Sequence, residues 1–378
     1  MADKGKKVLA NIERLKEQMD KNGCSAVAVR SGKNFTYLSG VTFRGTQARN
    51  IDLPDSPRET YLIWPRDGDP VVITNTTGEG SIRSDSWVDR VEVSQSYAET
   101  GIVMTAEAIK DMGLDGSRIG FEKTYLSAAR WEELEGLLPK AELFDCTAMM
   151  DRVRWVKTPG EVDLLKKAAD IQDEAYLEVY PDVKVGDTER QVHIRLIKAC
   201  MDRGCEFVHG ALISSRNKNR YNGEGDTPFL KGDIIRPDYV SYYHGYPGHQ
   251  NRLAVMGEPS DEQKRIYQQY RDIYWMTIDR CKPGVKASDL WQFAREKFLE
   301  KGFPHNPGAM AGHSVGPWVH QQKPLIVSND DTEMEEGMVI AFEPYFDYWH
   351  LQDMVVVTRD GTRLLSDRFN TEQLFVIG

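Results

Sequence analysis

Cysteine and positive charge are both in short supply in this chain of 378 residues, and each shortage excludes something. The five cysteines, Cys24, Cys146, Cys200, Cys205 and Cys281, are odd in number and include no CxxC pair. A disulfide framework is therefore excluded, and reduced, mostly buried thiols are expected. Lys and Arg total 48 against 58 Asp and Glu, a formal charge of −10, with the basic residues scattered. Phosphate binding needs a concentrated basic face, so a nucleic-acid partner is not expected and a small molecule is. No apolar run approaches the length of a membrane span, and the charged Met1 to Lys7 is followed by no apolar h-region. No membrane partner and a cytoplasmic location are the expectations. Low-complexity segments and tandem repeats of solenoid period are also lacking.

What remains is 40% hydrophobic and 28% charged, an ordinary globular composition with length enough for two domains. Asn11 to Asn22 reads as a helix closed by Gly23, and Ser25 to Arg30 as a buried strand. Thr60 to Trp64 and Pro70 to Thr74 read as a hairpin about Asp67-Gly68-Asp69. A strand over Arg118 to Glu122 and a helix over Ser127 to Leu138 complete an alternating α/β domain ending near Met150. Thr158-Pro159-Gly160-Glu161 then sets Thr at the N-cap, Pro at N1 and Glu at N3, opening a helix through Ile171. Thr188 with Gln191 and Ser260 with Gln263 repeat the box, the latter opening a helix over Glu262 to Lys282. The strands expected beyond are Asp233 to Tyr242 and Tyr246 to Met256, then Met338 to Phe346 and Leu351 to Thr358.

Chemistry-bearing residues gather on those strands. Gly312-His313-Ser314-Val315-Gly316 is followed by Val319-His320, and then by Met338 to Pro344, with Glu343 at the end of an apolar run. An ionised carboxylate there is costly to bury unpaired, so a metal, a protonated imidazole or a cationic substrate is expected to satisfy it. His249 can bind a metal or move a proton near neutral pH. Histidines His193, His209, His244, His305 and His350 carry no motif and read as structural or exposed.

In this order the pieces resemble the active-site core of the creatinase, prolidase, aminopeptidase P and methionine aminopeptidase family. The resemblance spans roughly the whole chain, most specifically from Thr158 onward. It implies an α/β (α+β) fold, with a creatinase-like α/β domain over 1–150 and a pita-bread catalytic domain over 151–378. Metallopeptidase members hold two metal ions through Asp, Asp, His, Glu and Glu. The matching positions are Asp238, His249, His313, Glu343 and Gln352, with Asp353 one residue from the last.

Two ligands have thus changed type, and an oxygen-rich dinuclear centre is disfavoured. One Zn, Fe or Mn ion on His249, His313, Glu343 and Asp238, or no metal at all, both stay open. His320 matches a second family histidine that lines the pocket. The creatinase catalytic histidine falls at Tyr221, and Phe43-Arg44 aligns with the aromatic and arginine that hold the creatinase substrate across a homodimer interface, with Arg49 a second candidate. Gln352 and Trp318 are further substrate-binding candidates, and the aromatics around Trp318 favour a small cyclic, apolar or cationic molecule.

The activity implied is hydrolysis of an amide or amidine-type C–N bond in a small amino-acid-like or carboxylate-bearing substrate. Without metal, His249 or His313 would activate water, Glu343 would orient the imidazole, and Tyr221 or His320 would protonate the leaving nitrogen. A lyase of the sulfonium-cleaving branch and a non-catalytic peptidase-like binding module are the alternatives.

Overall fold

The computed structural model describes residues 8–43, 58–95, 100–219, 225–304 and 309–378. The chain forms two compact units, Met1–Arg154 and Trp155–Gly378.

The first unit runs α1 (Ile12–Lys21), β1 (Ala26–Arg30), α2 (Lys33–Ser39), β2 (Tyr61–Pro65), β3 (Val71–Asn75), α3 (Glu79–Asp85), β4 (Arg90–Ser94), α4 (Gly101–Asp111), β5 (Arg118–Phe121), α5 (Ala128–Leu137), β6 (Glu142–Asp145) and α6 (Thr147–Trp155). Asn11 caps α1 by accepting from the Arg14 amide at 3.0 Å. The strands form one mixed sheet, ordered β4-β3-β2-β1-β5-β6. The expected hairpin is present as β2 and β3. β1 is central, antiparallel to β2 and parallel to β5, which is why all five of its residues are buried. Ile102 and Ile109 of α4 and Leu134 of α5 pack with Ala28, Ile63 and Ile119 in the core of this unit.

The second unit runs α7 (Pro159–Val179), α8 (Glu189–Asp202), β7 (Phe207–Ser214), β8 (Ile234–Tyr243), β9 (Tyr246–Gly248), β10 (Ala254–Met256), α9 (Asp261–Asp279), α10 (Ala287–Glu300), β11 (Gly312–Gly316), β12 (Val319–Leu325), β13 (Val339–Phe342), β14 (Asp353–Thr358), β15 (Gly361–Leu364) and β16 (Phe375–Ile377). All three expected capping boxes form, at Thr158, Thr188 and Ser260. α7 runs past Ile171 to Val179, because Ala175, Tyr176 and Val179 continue its buried stripe up to Pro181. One sheet is ordered β16-β10-β8-β7 with β9 on β8, the other β12-β11-β13-β14-β15.

Two expected strands are corrected. Tyr246 to Met256 is not continuous: β9 stops at Gly248 and β10 starts at Ala254, freeing His249 to Leu253 from the ladder. In that gap Asn251 bridges to Gln352, itself just ahead of β14. The strand expected to reach Phe346 ends at Phe342, so Glu343 stands at its tip. Two glycines let backbones close in around these positions. A Cβ on Gly210 (φ +152°) would lie 2.2 Å from the Asp238 carbonyl oxygen, and one on Gly312 (φ +155°) 2.7 Å from that of Ala341.

Candidate active site

β8 supplies two of the groups. Residues two apart on a strand share a face, and Arg236 Nη2 lies 3.3 Å from Asp238 Oδ2. His244 and Gly245, both at positive φ, make the two-residue turn into β9. His249 follows β9, with Nε2 3.5 Å from Asp238 Oδ1. β11 brings in His313 opposite Ala341 of β13, and Glu343 follows β13 directly. His313 Nε2 and Glu343 Oε1 are 3.6 Å apart. The ring centroids of His249 lie 5.3 Å from both His313 and His320. Asp238, His249, His313, His320 and Glu343 line a cavity of about 740 Å³, joined by His209, Met310 and Leu325.

Hydrogen-bond direction assigns the protons on three of the rings. A carbonyl only accepts, so His313 Nδ1, 3.1 Å from the Ser314 oxygen, carries hydrogen, and Nε2 is bare toward Glu343. A guanidinium only donates, so His350 Nδ1, 2.9 Å from Arg236 Nη2, is bare. His350 Nε2–H then donates to Glu343 Oε2 at 3.1 Å. For His249 the chain of reasoning starts at a backbone amide. Tyr239 N–H donates to Asn251 Oδ1 at 3.2 Å, which turns the Asn251 amide nitrogen to Gln352 Oε1 at 2.7 Å. The Gln352 nitrogen must therefore donate to His249 Nδ1 at 3.1 Å, leaving the ring hydrogen on Nε2, toward Asp238.

Burial sets the charges. It pushes Glu343 well above the usual carboxylate range, reinforced by the negative Asp238. Burial, reinforced by the neighbouring imidazoles of His249 and His320, pushes His313 well below the usual imidazole range. Burial likewise lowers His320 to about 4 and His350 to about 3. Burial raises Asp238, but the hydrogen bond from His249, the neighbouring His350 and the Arg236 guanidinium outweigh it and hold this carboxyl below the usual range. With His350 neutral at pH 7, Arg236 is the standing cation beside it.

Asp238, His249, His313, His320 and Glu343 thus meet at one cavity. Gln352 is fully buried, with its amide engaged by Asn251 and His249. Asp353 faces the other way, onto Arg252 at 2.7 Å. Trp318 stacks on Tyr242 at 5.4 Å, in the left-handed region at φ +60°, uncommon for so bulky a residue. Phe43 is buried against Phe35 in the first unit. Arg44, Arg49, Tyr221 and His305 lie outside the described residues.

Two histidines without a motif also stand at the site. His209 lines the cavity with its ring 5.4 Å from His320, and His350 is buried against Glu343. Arg236 was missed altogether. One signal was available for both: Arg236 and His350 each stand two residues before a candidate ligand, Asp238 and Gln352, and Arg236 interrupts an apolar strand.

Residues 163–359 match the model of metallopeptidase family M24, and residues 11–156 that of the creatinase/prolidase N-terminal domain. The chain belongs to metallopeptidase family M24. That family places it among hydrolases acting on C–N bonds, with the mixed α/β creatinase-type and pita-bread architecture. It is 28% identical over 363 residues to an Xaa-Pro dipeptidase of Lactobacillus helveticus, covering 93% of this chain and 95% of the relative. Its fold is similar to that of an X-Pro aminopeptidase from Thermotoga maritima (TM-score 0.79, 22% identity, 97% of this chain, 99% of the other). It is also similar in fold to the prolidase of Pyrococcus horikoshii (TM-score 0.77, 23% identity, 94% and 97%). Among the described residues no group of three or more His, Cys, Asp or Glu is arranged to hold a metal ion. No described helix is long and apolar enough to cross a membrane.

Proposed function

We propose that this family member hydrolyses a C–N bond in a small amide- or amidine-type substrate by acid–base catalysis between His313 and Glu343, with no resident metal. The carrying observation is the pairing of these two side chains: a bare imidazole nitrogen of His313 lies 3.6 Å from a Glu343 carboxyl oxygen at one cavity. Titrating groups whose surroundings push them in opposite directions are the usual mark of a base and an acid. His313 Nε2 takes a proton from water as the oxygen attacks the substrate carbon. His320 donates to the developing oxyanion from the cavity wall. Glu343 then gives its proton to the leaving nitrogen as the C–N bond breaks. The imidazolium and carboxylate so formed stand next to each other and exchange the proton, which resets the site.

Donor chemistry supports leaving metal out of these steps. His249 Nε2 carries a hydrogen, and moving it to Nδ1 would set that nitrogen against the amide nitrogen of Gln352. Gln352 offers no charge. An ion on Asp238 would also meet Arg236, 3.3 Å from the same carboxylate. At about 4 Å and an effective dielectric of about 20, a divalent ion and a guanidinium repel by about 8 kcal/mol.

The test is turnover of a panel containing Xaa-Pro dipeptides, chosen from the names of the relatives, and N-substituted amino acids, before and after chelation. Turnover is expected to survive chelation, and His313→Ala to lower kcat by about 10²- to 10⁴-fold. Activity lost on chelation and restored by a divalent ion would overturn the mechanism. An unsaturated acid among the products would instead mark the sulfonium-type lyase, and no turnover at all a binding module.

A further inference from the structure

We infer that Arg236 is the built-in cation of this site, a positioning residue whose guanidinium supplies the fixed positive charge that metallopeptidases take from an ion. The inference rests on the metal-independent reading above and assigns its organiser.

Three observations carry it. Arg236 is 1% exposed, although an arginine costs much to bury and is kept inside only with partners. It reaches both walls of the site through one nitrogen. Nη2 lies 3.3 Å from Asp238 on β8 and 2.9 Å from His350 Nδ1, and His350 hands the contact on to Glu343 at 3.1 Å. Finally, the guanidinium dictates protonation. Because it can only donate, it strips Nδ1 of His350 and turns the other ring nitrogen, with its hydrogen, onto Glu343 Oε2. That leaves Oε1 as the carboxyl oxygen facing the bare nitrogen of His313. Arg236 touches no reacting atom in this scheme; through His350 it settles which Glu343 oxygen faces His313.

The same placement predicts what the site refuses. Asp238 is one of the two carboxylates left from the ligand pattern, and it is already paired with a cation that cannot dissociate.

Two experiments decide the matter. The first is chemical rescue: Arg236→Ala is expected to lose about 100-fold in kcat with KM little changed, and millimolar guanidinium chloride to restore about tenfold, while methylammonium restores none. Lost packing would not respond to guanidinium. An Arg236→Ala protein that is folded at the assay temperature by circular dichroism yet shows no rescue would overturn the inference. The second needs no turnover: titration of the wild-type chain and of a double variant with Co²⁺, followed by calorimetry and visible absorption. Wild type is expected to take up no stoichiometric cobalt, and the Arg236→Ala, Gln352→Glu double variant to take up about one ion per chain with a ligand-field band. Stoichiometric cobalt on the wild type would overturn the inference. Should no substrate on the panel turn over, the proposed activity falls while the cobalt titration still decides the role of Arg236.

Discussion

Two arginines from the same stretch of the second unit, Arg236 and Arg252, are each 1% exposed, and they do opposite things. Arg252 is saturated. Its Nε and Nη2 bond Asp173 at 2.7 and 3.2 Å, Nη2 also bonds Asp353 at 2.7 Å, and Nη1 reaches the carbonyls of Gln352 and Asn251 at 2.8 and 3.3 Å. All five of its N–H donors are used. Tyr274 completes the knot by donating to Asp353 at 2.8 Å. The carboxylates outweigh burial and raise the guanidinium further, so it does not titrate. Arg236 instead sets one nitrogen against a carboxylate at the cavity and an imidazole behind it. A closed charge network fastens α7, β14 and α9 to the segment between the strands, whereas one that opens on a cavity can direct protons.

Breaking the closed network should give the largest effect on stability. Arg252→Met leaves Asp173 and Asp353 buried without a counter-charge, an expected loss of about 4 kcal/mol, or about 12 °C in Tm. Arg236→Met should lower Tm by less than half as much, since Asp238 keeps its bond from His249 and is 21% exposed in its side chain. Equal shifts by calorimetry would erase the distinction.

Glu122 in the first unit sharpens the comparison, being a buried carboxylate without a bidentate arginine. Asn34 donates to one of its oxygens, and the other has no hydrogen-bond partner. Burial raises it to about 7 from 4.5. A folded-state value above the unfolded one means that stability is intact below about pH 4.5 and drains away as pH climbs to about 7. Glu122→Gln should therefore match wild type at pH 4 and exceed it by up to about 3 kcal/mol at pH 8. A pH-independent difference in denaturant midpoints would contradict this. The smallest effect is expected from Tyr274→Phe, which removes one donor to Asp353 and should cost about 1.5 kcal/mol without altering turnover.

Much of this was open to reading along the chain. The capping boxes at Thr158, Thr188 and Ser260 depend on residues three apart, and all three form. The β2–β3 hairpin was legible for the same reason. The parallel pairing of β1 with β5 was not, because pairing across a crossover leaves no mark at short range. The break between β9 and β10 did leave a local mark, since Pro247, Gly248 and Asn251 are residue types depleted in strands, but the bridge from Asn251 to Gln352 that stands in the gap did not.

By itself, then, the sequence determined the family, the two-unit α/β architecture and the ring of Asp238, His249, His313, His320 and Glu343, since each is written in local order and spacing. Only the tertiary structure decided which imidazole nitrogen is bare, that Gln352 rather than Asp353 meets His249, and that Arg236 and His350 belong to the site. Proton placement depends on donors and acceptors that arrive from residues up to 114 apart in the chain, as Arg236 and His350 are, and no local pattern encodes the direction of a hydrogen bond.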